Sequence, residues 1–126
     1  MTFFVDNNLS AQLAEGMKAF GEPVVHLKQL FDPDEDDDVW LAHIGAEGMI
    51  LITRDERIRF RPNELAALRD NRVGAFFLGG KNRSRCELIQ QLIRNWPRMK
   101  ELAEKTRRPF AFRIPPSGSK FVALPL

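Results

Sequence analysis

Apolar residues fall into two rhythms along this chain. Unbroken runs at Phe3-Phe4-Val5, Val24-Val25-His26-Leu27, Met49-Ile50-Leu51-Ile52-Thr53, Val73-Gly74-Ala75-Phe76-Phe77-Leu78 and Phe110-Ala111-Phe112-Arg113-Ile114 predict strands. Between them, apolar residues recur every three or four positions, the spacing of one helix face. Leu9, Leu13, Met17 and Phe20 form the first such face, with Ser10 or Asn8 as its cap and Gly21 as its stop. Trp40, Leu41 and Ile44 form the second, which Gly48 ends, and Leu65 and Leu68 follow Pro62 in a short third. Leu88, Leu92 and Trp96 make the fourth from Ser84, flanked by Ile89 and Ile93, and a further turn or two is expected between Pro97 and Thr106. Phe121 to Leu124 reads as a hairpin arm or a loose end after the turn Pro115–Ser119.

Strands alternating with helices predict an α/β fold with a central, mostly parallel sheet of four to five strands flanked by helices. A length of 126 residues suits one domain over 1–126, with 107–126 as a strand or hairpin extension. No apolar run reaches the ~18 residues of a membrane span. The opening Met-Thr-Phe-Phe-Val-Asp has no basic flank, so no signal peptide is expected. Cys86 alone cannot form an intrachain disulfide, and both features suit the cytoplasm. Cys86 is expected to be a small buried or half-buried helix residue. His26 and His43 lack partners at ligand spacing and are read as structural, and Trp40 and Trp96 as core.

The net charge of +2 conceals a segregation. Residues 1–56 hold twelve acids and three bases, whereas 57–126 hold sixteen bases and five acids. A basic half reads as a phosphate-binding surface. An acidic half that includes strand ends reads as a site for a hard cation. The two halves could also simply pair with each other.

Ligands of an open parallel sheet sit beyond the carboxyl ends of its strands. Asp6 directly follows the first strand, and Asp55 follows the third after Arg54. Two carboxylates in one crevice repel by about 4 kcal/mol at 4 Å in an effective dielectric of 20. A divalent cation removes that cost, and oxygen ligands suit Mg²⁺ or Mn²⁺. Asp36, Asp37 and Asp38 lie at the start of the second helix, where the dipole favours acids. Asp37 stands three residues before Trp40 and four before Leu41, aligned with the buried face, and Asp38 is its close competitor.

Phe4-Val5-Asp6-Asn7-Asn8-Leu9-Ser10 resembles the first strand and first acid of PIN-like nucleases. Ile50-Leu51-Ile52-Thr53-Arg54-Asp55 resembles the third strand of the branch that includes VapC-type toxins, and Asp37-Asp38-Val39-Trp40-Leu41 its helix-opening acid. The resemblance covers roughly 3–95. It implies catalytic Asp6, Asp37 and Asp55, with Asp38 as a further candidate metal ligand, binding one or two Mg²⁺ or Mn²⁺ ions that activate a water against an RNA phosphodiester. It also implies a cognate antitoxin protein, with a homodimer left open. Many PIN domains carry a fourth acid after the fourth strand, where this chain has Leu78-Gly79-Gly80-Lys81-Asn82, and Asn82 is a weak substitute. An inactive PIN-like module that binds RNA or protein is the alternative. A phosphoacceptor receiver fits less well, because it needs paired acids after strand one and a lysine after strand five.

Arg54, Arg57, Arg59, Arg61, Lys81 and Arg83 are the candidate contacts to the RNA backbone. Phe60, among the arginines, either stacks on a base or belongs to the core.

Overall fold

A strand forms where consecutive side chains can be buried on both faces, and the apolar runs do this. The structure, a computed structural model, describes residues 1–126. The strands are β1 (Phe3–Val5), β2 (Val24–His26), β3 (Ile50–Thr53), β4 (Gly74–Leu78), β5 (Phe110–Ile114) and β6 (Val122–Ala123). They form one six-stranded sheet in the order β2-β1-β3-β4-β5-β6. All neighbours are parallel except β5 and β6, so the last segment folds back on the sheet edge. The α/β class and mostly parallel sheet are as the sequence predicts, with one strand more.

The helices are α1 (Ala11–Ala19), α2 (Leu27–Leu30), α3 (Asp37–Ala46), α4 (Pro62–Asp70) and α5 (Arg85–Lys105). Alternation along the strands divides the core in two. Phe3, Val5, Ile50, Ile52 and Phe76 pack with Met17 of α1 and Leu88, Leu92 and Trp96 of α5. Phe4, Leu51, Ala75 and Phe77 face the other way, onto Trp40, Leu41 and Ile44 of α3 and Leu68 of α4. The sheet is therefore covered on both faces, which is why its strands read as continuous apolar runs.

Several expectations are corrected. Phe20 does not continue the first helix face and is 91% exposed. It is the C-cap of α1, with φ −86° and ψ 8°, so helical spacing no longer governs where it points. Leu27 leaves β2 and opens the single turn α2, capped by the His26 imidazole, whose Nδ1 accepts from the Lys28 amide at 3.1 Å. No separate segment starts at Pro97, because α5 runs through it as one helix of 21 residues. Trp96 and Met99, buried on either side, hold that stretch on the sheet against the loss of one backbone bond. Cys86 is exposed, being two residues and about 200° away from Leu88 on α5.

Two glycines behave oppositely. A Cβ on Gly45 of α3 would stand 2.5 Å from the Asn71 carbonyl oxygen and 2.6 Å from Asn71 Cβ, so glycine lets the end of α4 approach α3. A Cβ on Gly16 of α1 would meet nothing within 4 Å. Gly16→Ala should therefore stabilise the chain by about 1 kcal/mol in urea unfolding. Gly45→Ala should cost about 1–3 kcal/mol. The same sign for both would contradict this packing of α3 on α4.

Candidate active site

Asp6 carries the ladder of β1 one residue beyond the strand: its amide donates to Ile52 O at 3.4 Å. Its side chain turns toward the α3/α4 face, two residues on from Phe4, and is 3% exposed. Thr53, the last residue of β3, lies on the same face. Its hydroxyl donates to Asp6 Oδ2 at 2.5 Å and accepts from the Asp55 amide at 3.0 Å. One hydroxyl thus joins the end of β1 to the turn after β3. Asp6 Oδ1 accepts from the Asn8 amide at 3.1 Å, which fixes the carboxylate plane. His26 braces the same turn, its Nε2 donating to Leu9 O at 2.9 Å.

Burial pushes the Asp6 carboxyl up to about 6. The hydrogen bonds from Thr53 and Asn8 oppose that shift, and the Asp55 charge adds to it.

Asp55 begins the 3₁₀ turn Glu56–Phe60 and caps it, Oδ1 accepting from the Arg57 amide at 3.1 Å and from Arg57 Nε at 3.0 Å. Its other oxygen lies 3.4 Å from Arg61 Nη1. The same Nη1 is 3.7 Å from Asp37 Oδ2 and 3.2 Å from Glu64 Oε2. Asp37 is the first residue of α3, and its Oδ1 accepts from the Trp40 indole at 3.1 Å. The spacing of three that selected Asp37 in the sequence is thus a side-chain hydrogen bond to a core residue.

Glu64 was not anticipated. It sits in the first turn of α4, directly after the turn that Asp55 caps, and a carboxylate there, three residues from Arg61, was the available signal. Desolvation holds it above the usual carboxylate range, the hydrogen bond it shares with Asp37 adds to this, and Arg61 opposes.

The structure joins Asp6 to Asp55 through Thr53, and Asp55 to Asp37 and Glu64 through Arg61. It leaves Asp38 exposed, with no side-chain hydrogen bond or ion pair, and Asn82 exposed in a turn with φ 54°. As the side chains stand, no three His, Cys, Asp or Glu residues form a ready metal cage, and the Arg61 guanidinium bridges Asp37, Asp55 and Glu64.

The six basic candidates separate. Arg57 and Arg61 are ion-paired with Asp55. Arg59 is buried, its Nη2 donating to Pro125 O at 3.2 Å. Phe60 is 73% exposed beneath the Arg59 guanidinium, 5.1 Å from the ring centre, and so is not core. Lys81 is exposed. Arg54 and Arg83 line a cleft on the α1/α5 side of the strand ends.

A family model described as PIN like domain matches residues 1–80, the span that carries β1 to β4 and all four clustered carboxylates. The chain belongs to the PIN-like domain family. No curated protein and no solved structure matches it. The PIN-like fold is of nuclease type, and PIN domains generally use divalent metals. The donor set of this PIN-like domain fits such an ion in kind, since every side-chain atom offered is a carboxylate or hydroxyl oxygen. A buried Asp6 that holds its proton to about 6 is also a carboxylate short of positive charge.

The raised value has a defined sign. Between 3.8 and about 6 the folded chain holds a proton on Asp6 that the unfolded chain has released. Stability from this group is therefore greatest at low pH and falls as pH rises through that window. In chelating buffer, Asp6→Asn should remove this slope and stabilise the chain by up to about 3 kcal/mol at pH 8. Parallel stability profiles for the two chains from pH 4 to 8 would contradict the burial argument.

Proposed function

We propose that this PIN-like domain, acting as one unit over residues 1–126, is a Mg²⁺- or Mn²⁺-dependent endoribonuclease, the toxin of a toxin–antitoxin pair. The observation that carries the reading is the Thr53 hydroxyl clamp, which fixes Asp6 and Asp55 at one edge of the sheet with Asp37 and Glu64 beside them. Asp6, Asp55 and Asp37 would hold the ion. When bound, such an ion lowers the pKa of water and neutralises charge on a phosphodiester.

The remaining work belongs to the chain. Thr53 and the Asn8 amide hold the Asp6 carboxylate in one orientation. Trp40 holds Asp37. Arg61 neutralises Asp37, Asp55 and Glu64 while they stand together, so the site tolerates its own acidity. Under this reading the chain acts in the cytoplasm on RNA and is restrained by a cognate antitoxin.

One observation favours a second reading. Arg61 already supplies a cation among three of the four carboxylates. A chain in which it stays there binds no divalent ion and serves as an inactive module for RNA or protein. Calorimetry separates the two readings. The nuclease binds Mn²⁺, and Arg61→Gln tightens that binding by about tenfold because a competing charge is removed. Absence of Mn²⁺ binding in both chains would establish the inactive module.

For activity, Asp6→Asn or Asp55→Asn should abolish Mn²⁺-dependent RNA cleavage with the fold intact by circular dichroism. Asp37→Ala should cost at least about tenfold more activity than Asp36→Ala, with Asp38→Ala between them. Full cleavage by Asp6→Asn sinks the assignment, and Asp36→Ala as the most damaging of the three would overturn the role of Asp37.

A further inference from the structure

The four carboxylates occupy the α3/α4 side of the strand ends. The other side of the same edge has the opposite character. A cleft of about 660 Å³ opens there between the N-terminal ends of α1 and α5. Its charged lining consists of Lys28, Arg54, Arg83 and Arg85, and no Asp or Glu lines it. The four cations come from three places along the edge: Lys28 from α2 just after β2, Arg54 directly after β3, and Arg83 and Arg85 from the end of the β4–α5 connection and the first residue of α5. Asn7 and Asn8, after β1, complete the row.

The contrast at β3 follows from strand geometry. Thr53 and Asp55 turn to the carboxylate side and Arg54, between them, to the other. Arg54, Lys28 and Arg85 make no ion pair and no side-chain hydrogen bond, whereas Arg57 and Arg61 are both engaged with Asp55. Arg83 is held at the rim by Glu87 at 3.3 Å and Pro116 O at 3.0 Å. Cations gathered in a recess without counter-ions repel one another, and an anion with several charges along its length relieves that.

We infer that this cleft binds the sugar-phosphate backbone of single-stranded nucleic acid, with Lys28, Arg54 and Arg85 as its phosphate contacts. The inference deepens the proposed nuclease function by giving the strand a path, from the cleft across Asn7 and Asn8 to Asp6. A concave recess suits a flexible single strand, whereas a duplex is gripped across its wide minor groove and successive phosphates. No aromatic side chain lines the cleft, so it has no platform for stacking bases, and binding should be indifferent to sequence. Arg57, Arg59 and Lys81 lie outside the lining and contribute little.

The test measures binding of a fluorescent single-stranded RNA by anisotropy in EDTA, in the Asp6→Asn background so that no cleavage intrudes. The triple variant Lys28→Ala/Arg54→Ala/Arg85→Ala should bind at least about a hundredfold more weakly at low salt, and the slope of log affinity against log salt should shrink by roughly 2. Lys28→Arg/Arg54→Lys/Arg85→Lys, which keeps the charges, should bind within about threefold of the parent. Arg107→Ala, an exposed unpaired cation before β5 at the opposite end of the sheet, should have no effect. An unchanged salt slope in the alanine triple overturns the inference, as does equal affinity for duplex RNA, even if the native chain cleaves RNA. Loss of binding in the triple upholds it, even if the native chain proves to have no nuclease activity.

Discussion

A single hydroxyl organises the candidate site. Thr53 donates to a buried carboxylate on the neighbouring strand and accepts from a backbone amide two residues further along its own chain. Neither bond would be worth more than about 1–3 kcal/mol alone. Together they fix where β1 ends relative to β3, and the rest of the site is built outward from that register. Asp55, positioned by Thr53, caps the 3₁₀ turn, that turn leads to Arg61, and Arg61 reaches Asp37 and Glu64 on two different helices.

This construction also explains how one edge can carry two opposite charges. A strand presents successive residues to opposite faces, so Thr53-Arg54-Asp55 sends its cation to one side and its polar acceptors to the other. Lys28 of α2 and Arg85, the first residue of α5, line the same cleft as Arg54. The acidic and basic halves of the sequence pair in part along this edge, where Arg57 and Arg61 engage Asp55, while Lys28, Arg54 and Arg85 stay unpaired on the other side. Asp6 stands between the acidic cluster and the basic cleft.

Much of this arrangement is legible in the amino-acid sequence. Buried strands announce themselves as apolar runs because both faces of the sheet are covered, and Asp6 and Asp55 announce themselves by stopping two such runs. Asp37 differs from Asp36 and Asp38 in its helical spacing from Trp40, and that spacing corresponds to a side-chain hydrogen bond. What spacing could not convey was contact between separate elements. Glu64 belongs to α4, and only the packing of α4 on α3 carries it to Asp37. For the same reason the arginines after Asp55 read as one basic stretch, although Arg57 and Arg61 pair with the acids and Arg59 is buried under the C-terminus. Phe20 misled because the helix ended one residue before it.

The central claim is that the Asp6 carboxylate, buried and held by Thr53, awaits a cation. Carbon-13 NMR of labelled aspartate across a pH titration, with and without saturating Mg²⁺, tests it most directly. The account predicts that Asp6 titrates near 6 without the ion and that Mg²⁺ moves its titration below the ordinary value of 3.8. A titration near 6 that Mg²⁺ leaves in place would contradict it.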